Sequence, residues 1–254
     1  MYTHIILTRF NLQYDSESHI HLNSSWLDNR FELFERYCLP SVECQSEKNF
    51  KWLILMDGNT PAVYRERMEK YNNRVHQLMV VYCPLSGNLN MWYKEVAISY
   101  SEDTDILITT RLDSDDQLGI DYVKIVQNYV NQPTNIIPSI LSFAYGNQHF
   151  VRDNLFYNVR YVPNHYLSFV EYTSQAVTSL GRDHSQIRQG EITILNVAQP
   201  MWIEVVHGGN ICNGYCPAWT YYPQNWEEYR FLICEWVRFR WHQVLRHLPF
   251  VHSN

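Results

Sequence analysis

Residues Ile106 to Gly119 read ILITTRLDSDDQLG, an apolar run that ends in three carboxylates within four positions, Asp113, Asp115 and Asp116. Ile106 to Thr110 has the β-branched composition of a strand. Like charges packed this closely repel one another and resist burial, so they must face solvent, a cation or a cationic ligand.

Working outward from that stretch, strand-like and helix-like segments alternate. THIILTRF reads as a first strand. WLDNRFELFERYCLPSVECQ follows as a helix, with Trp26, Phe31, Phe34 and Cys38 on one side until Pro40. FKWLILMD is a second strand, closed by Asp57 and the turn signal GNTP. PAVYRERMEKYN is a charged surface helix, HQLMVVYC a third strand, LNMWYKEVAISYS a helix, and DILITTRLD the fourth strand. GIDYVKIVQNYV restarts a helix with Ile120, Val123, Ile125, Val126 and Tyr129 on its apolar side. This alternation predicts an α/β sheet with helices packed on it. After Pro138 the pattern changes to the strand-like SILSFAYG and LFYNVRYVP, an irregular stretch to Pro200, and the strand MWIEVVHGGN.

The chain of 254 residues carries a net charge of −6, which argues against a nucleic-acid binder, since affinity for phosphate backbones needs a basic surface. Its 19 Tyr, 11 Phe and 8 Trp suit flat amphipathic binding surfaces as well as ordinary core filling. The six cysteines form no CxxC pair and no zinc-ligand spacing, so they read as reduced thiols, with Cys212–Cys216 in CNGYC as a minor pairing. The start MYTHIILTRFNL lacks the pattern of a signal peptide, and no apolar run reaches membrane-spanning length, so the expectation is a cytoplasmic protein.

In open α/β sheets ligands bind beyond the C-terminal ends of the strands. Three such ends carry polar groups here: Thr8 and Arg9, Asp57, and the DSDD of Asp113 to Asp116. A D-x-D in extended conformation sends both side chains to one face. Two carboxylates converging in this way suit Mg²⁺ or Mn²⁺, which prefer oxygen ligands and share them with substrate phosphates. The competing reading is a helix N-terminus, where Asp and Ser are favoured caps. An EF-hand is excluded because no Glu stands at loop position twelve. His207 ends an apolar strand before two glycines, either as a structural histidine or as an extra metal ligand.

RFNL, LFERYCLPSVECQ, FKWLILMD, TTRLDSDDQL, PNHYLSFVEY and MWIEVVHGGN, in this order, resemble the rhamnosyltransferase family, sugar-nucleotide glycosyltransferases of the GT-A type, from about Thr3 to Asn213. The resemblance implies a GT-A (Rossmann-like) mixed α/β sheet flanked by helices. It places Thr8 and Arg9 at the first strand end, Asp57 near the base, Asp113 at the ribose and metal, and Asp115 as direct metal ligand. Asp116 is a donor-sugar contact or a cap, and His207 completes the metal site. Arg111 touches the diphosphate or pairs with the acidic cluster. Trp92 and Lys94 lie on a helix that borders the donor site in this fold, as stacking groups or as core. Glu171, Asp183 and His184 are the candidates for the catalytic base of an inverting transfer, each also readable as a surface or structural group.

These implications describe a metal-dependent transferase that moves a sugar, rhamnose among others, from a dTDP-, UDP- or GDP-linked donor to a glycan or lipid-linked acceptor of a surface polysaccharide. Residues 1–254 are expected to form one domain, with a nucleotide-binding part (1–118), an acceptor-side part (119–225) and a C-terminal aromatic and basic helix (226–254). That helical extension reads either as a peripheral contact with the inner membrane face or as packing, on the domain or in a homodimer. The aromatic CNGYCPAWTYYPQNW reads as an acceptor wall or a packing lid. The alternatives are a binding module that keeps the fold without catalysis, and a metal-dependent phosphohydrolase or nucleotidyltransferase. The latter is weakened by the lack of a second carboxylate group for two-metal chemistry.

Overall fold

A computed structural model describes residues 1–13, 19–84 and 88–210. The chain opens on β1 (Tyr2–Arg9), whose Ile5, Ile6 and Leu7 are fully buried. A strand buried on both faces reads as a continuous apolar run, and β1 obeys that rule because helices cover both sides. After it come α1 (Ser24–Leu33), α2 (Leu39–Glu43), β2 (Lys51–Asp57), α3 (Ala62–Glu69), β3 (Leu78–Cys83), α4 (Leu89–Ser99) and β4 (Ile106–Arg111). The strands β3-β2-β1-β4 lie side by side and parallel. Side chains alternate across them. Ile6, Trp52, Ile54 and Ile108 meet Phe31, Phe34, Tyr64 and Met68 on one face, while Ile5, Leu7, Leu53 and Leu107 meet Tyr93, Val96 and Ala97 of α4 on the other.

The helix expected over residues 26–45 forms, but Pro40 inside it prevents a single regular α-helix. Pro40 offers no N–H and its ring crowds the carbonyl one turn back. The chain widens instead into one π-helical turn, Phe34–Cys38, in which the Leu39 N–H reaches Phe34 O, and α2 resumes to Glu43. Ser41 Oγ then accepts the Leu118 N–H at 3.3 Å, and Gln45 Nε2 donates to Gly119 O at 2.8 Å.

Past the acidic stretch come β5 (Gln117–Leu118), α5 (Tyr122–Val130), β6 (Ser139–Ser142), β7 (Tyr145–Phe150), β8 (Leu155–Arg160), β9 (Ser168–Tyr172), β10 (Ile192–Ile194) and β11 (Trp202–Val206). The stretch expected to be irregular contains β9, which enters the large sheet antiparallel between β4 and β6, with β10 beyond it. SFVEY does not announce itself, being five residues long with Ser168 and Glu171 buried in it. The sheet of seven strands is therefore mixed and flanked by helices. A second sheet runs β5-β11-β7-β8. The acidic stretch is the joint where the chain leaves one sheet and enters the other.

Among the described residues Cys38 and Cys83 are free thiols, and no helix is long and apolar enough to cross a membrane. Cys212, Cys216, the aromatic segment after them and the expected C-terminal helix lie outside the described residues.

Candidate active site

The parallel pairing of β1 with β4 continues one step, the Leu112 N–H donating to Leu7 O at 3.1 Å, and then the chain turns. The Asp116 N–H donates to Asp113 O at 3.2 Å. This closes a β-turn over Ser114 and Asp115, whose residues Gln117 and Leu118 go on to pair with β11. Two expectations are corrected here. No helix starts at DSDD, so its acids are not helix caps; α5 begins only at Tyr122. The D-x-D is not extended either, so the turn brings Asp113 and Asp116 together and tips Asp115 aside.

Each carboxylate then meets its own partners. Asp113 is forked by Arg111, Nη2 to Oδ2 at 2.9 Å and Nε to Oδ1 at 3.3 Å, and Arg9 Nη2 lies 3.8 Å from Oδ1. Burial works to raise its pKa, but Arg111, Arg9 and His165 outweigh it and hold the carboxyl below the usual range. Asp115 Oδ2 faces His207 Nε2 at 2.8 Å, Arg30 Nη1 at 3.2 Å and Asn210 Nδ2 at 3.4 Å. Asp116 is 2 % exposed. Its Oδ1 accepts the Val205 N–H at 2.8 Å, and its Oδ2 accepts the Tyr166 O–H at 2.9 Å beside His165 Nε2 at 3.2 Å. Burial, then the charges of Asp115 and Asp113, push the Asp116 carboxyl well up; the Val205 and Tyr166 donors oppose them.

These groups fit a divalent cation by their chemistry, three carboxylates with imidazole nitrogens turned toward them. Asp113, Asp116 and His165 offer ligand atoms within 4.8 Å of one another. That group differs from the expected Asp113, Asp115 and His207, and the turn is the reason. His165 and Tyr166 sit in PNHYLSF, where no spacing singled them out. Tyr166 is held from behind by Trp202, stacked at 4.9 Å, whose indole N–H donates to Phe143 O at 2.9 Å. Glu204, also unforeseen, accepts from Gln148 Nε2 at 2.5 Å, and burial raises its pKa before the charge of His165 lowers it.

The other expected residues divide. Arg9 and Arg111 reach the cluster; burial raises the pKa of the Tyr93 hydroxyl on α4, and the charge of Arg9 works against that rise. Thr8 does not reach it: its fully buried hydroxyl accepts the Trp52 indole N–H at 2.9 Å on the core side of β1. Asp57 stands at the end of β2, with Oδ2 3.2 Å from His21 Nε2 and Oδ1 accepting the Asn59 N–H at 2.7 Å. Trp92 is half-buried against Tyr93 and lines a hollow of about 210 Å³ with Cys83, Pro84, Asn88 and Glu95. Lys94, on the same helix, has its charge close enough to Glu171 to work against the burial that raises the pKa of that carboxyl.

Glu171 is opposite Leu107 in β9, four residues and thus roughly 13 Å back along the strand from Arg111. Both its oxygens are engaged, by the Val177 N–H at 2.8 Å and the Thr178 N–H at 3.0 Å. Asp183 and His184 are at the cluster. His184 Nδ1 lies 2.7 Å from Arg111 Nη1 and 3.5 Å from Asp183 Oδ1. A guanidinium can only donate, so Nδ1 accepts and the neutral ring carries its proton on Nε2. Burial, then Arg111 and His165, lower the His184 pKa to about 4. Asp183 is half-exposed, and the Ser185 N–H on its carboxylate lowers its pKa.

A family described as "Putative rhamnosyl transferase" matches residues 8–218. No curated protein matches the chain. Among solved structures, S. aureus TarS is 14% identical with a TM-score of 0.45, over 80% of this chain and 37% of that one. S. aureus TarS 1-349 in complex with UDP-GlcNAc is 15% identical with a TM-score of 0.46, over 83% of this chain and 60% of that one. The chain thus spans less than two thirds of the length of these structures.

Proposed function

The chain belongs to this rhamnosyl transferase family; from that premise we propose that it is a glycosyltransferase that carries a deoxyhexose such as rhamnose from a nucleoside-diphosphate donor to a glycan or lipid-linked hydroxyl, with inversion. The observation that supports this most is the acidic turn itself. It sits at the C-terminal end of β4 beside Arg9 and Arg111, where a cation and a diphosphate relieve the crowding of Asp113, Asp115 and Asp116. Asp115 with His207, and Asp113 with Asp116 and His165, are the residues that would hold Mn²⁺ or Mg²⁺. Such a cation supplies charge stabilisation to the departing diphosphate.

The remaining chemistry falls to the chain's own groups. Arg9 and Arg111 turn guanidinium donors to the phosphate oxygens. Asp57 is at the strand end assigned to the base, on the nucleotide-binding part (1–118). Of the three candidate bases Asp183 is best suited: ionised, half-exposed and beside Arg111 through His184. His184 has its acceptor nitrogen occupied and offers an Nε2–H, which makes it a donor to the acceptor sugar or the leaving group. Glu171 instead fastens the 177–178 loop. A β-L-rhamnosyl donor attacked from the opposite face gives an α-linked product.

Titration calorimetry with UDP, dTDP and GDP, each with and without Mn²⁺, tests this reading. Metal-dependent binding of one nucleotide is expected, followed by sugar transfer or slow hydrolysis from the matching donor. Failure of all three nucleotides to bind in the presence of Mn²⁺ would sink it.

A further inference from the structure

Arg30 was no part of the expected site, yet it reaches the acidic turn from α1. Its Nη1 is 3.2 Å from Asp115 Oδ2 and donates to Ser114 Oγ at 3.3 Å. The oxygen it meets is the one that faces His207 Nε2 at 2.8 Å. Asp113 thus faces two guanidiniums, Arg9 and Arg111, and Asp115 faces one, Arg30; counted with Asp116 the turn sets three carboxylates against three guanidiniums, so the formal charges of these side chains cancel. A cluster with no net charge attracts a divalent cation far less than bare carboxylates do.

The arginines are not held alike. Arg111 forks both oxygens of Asp113 and also bonds His184. Arg30 engages the turn through one nitrogen, and its guanidinium lies over the Trp26 ring, 4.9 Å from the centroid. A ring face stabilises a cation without fixing the direction of its N–H groups. Arg30, unlike Arg111, can therefore leave its carboxylate while keeping a partner.

We propose that Arg30 is a displaceable counter-ion. It neutralises Asp115 until the donor arrives, then swings onto a phosphate oxygen of the nucleoside diphosphate and leaves Asp115 to a divalent cation. A cation arriving alone must evict Arg30 with no anion to receive it. A nucleoside diphosphate arriving alone draws Arg30 away and bares Asp115 with no cation to replace it. Together both displaced charges find partners, so each ligand tightens the other by the same factor. This inference rests on the nucleoside-diphosphate reading of the site and adds the residue that couples the two ligands.

The test is titration of Mn²⁺ alone, followed by the paramagnetic resonance signal of the free ion, against wild type, Arg30→Gln and Arg30→Lys. The titration is repeated with saturating UDP, dTDP or GDP. Wild type is expected to bind Mn²⁺ alone about tenfold or more weakly than with its nucleotide, within the usual range of coupling between sites. Arg30→Gln should tighten Mn²⁺ alone about tenfold and weaken nucleotide binding in the presence of Mn²⁺ by a similar factor. Arg30→Lys, which keeps the charge, should follow wild type in direction. A fall of both affinities in Arg30→Gln, the mark of a merely structural role, would overturn the proposal, and so would an unchanged affinity for Mn²⁺ alone. Mn²⁺–nucleotide binding indifferent to Arg30 sinks this inference and leaves the proposed function standing. No Mn²⁺ binding to wild type with any of the three nucleotides sinks the metal reading as well.

Discussion

Asp115 and Asp116 are neighbours in the chain and opposites in setting. Asp115 meets a guanidinium and an imidazole, while Asp116 is closed in by a backbone N–H and a phenol. Replacing Asp115 by Ala should therefore lower kcat/KM by about 10²–10³, the loss expected when one group that stabilises developing charge is removed. The melting temperature should stay within a few degrees, and retained activity would remove Asp115 from the chemistry. Glu171 leads to the opposite expectation. Glu171→Gln leaves one loop N–H facing an amide donor and should cost about 1–3 kcal/mol of stability in urea unfolding. Its kcat should remain within a few-fold of wild type, and a hundredfold loss at unchanged stability would make Glu171 the base after all. At this scale the acidic side chains and His207 are visible in the sequence because strand ends expose them. His165, Tyr166 and Arg30 are not, since only a β-turn and a helix from elsewhere bring them to the same place.

Among the elements, β7 and β11 show how tightly the supporting side of the site is packed. A Cβ at Gly146 would sit 2.0 Å from the Trp202 ring, the ring that stacks on Tyr166 behind Asp116. Gly146→Ala should thus cost at least about 1–3 kcal/mol, the usual range for overpacking. It should also change the near-ultraviolet dichroism of the indole; a variant with native stability and spectrum would show that Trp202 has room to move. The parallel strands were legible from their unbroken apolar runs. β9 was not, because a five-residue strand with two buried polar residues carries neither an apolar run nor a clean alternation.

For the whole molecule, acid sensitivity follows from a histidine far from solvent. His4 on β1 is 2 % exposed. Its Nε2 is 2.8 Å from Thr110 Oγ1, and Nδ1 accepts from Gln127 Nε2 at 3.4 Å. Burial lowers its pKa to about 3. The unfolded chain therefore binds this proton first, near its ordinary value, so the stabilising contribution is complete at neutral pH and is lost as pH falls toward the folded value. Between pH 7 and pH 5 the loss from His4 should be about 2 kcal/mol. Asp116, with its raised pKa, acts in the opposite direction, so the His4 share is the difference between wild type and His4→Gln in urea unfolding at the two pH values. Equal pH dependence in both proteins would refute it. The α/β alternation and the strand order along the chain could be read from sequence. The division into two sheets with the acidic turn as their joint could not, because pairing across sheets leaves no periodic trace.

The π-helical turn before Pro40 sets an angular phase. α2 is pinned to β5 and Gly119 by Ser41 and Gln45, so the residue count through Phe34–Cys38 decides which way α1 points its side chains. Each residue turns a helix by about 100°. Deleting one residue from α1 between Arg30 and the π turn would rotate Arg30 by about 100° relative to α2 and turn it away from Asp115. The electrical balance of the acidic turn is thus written, twenty residues or fewer from α1's start, as an arithmetic of chain length.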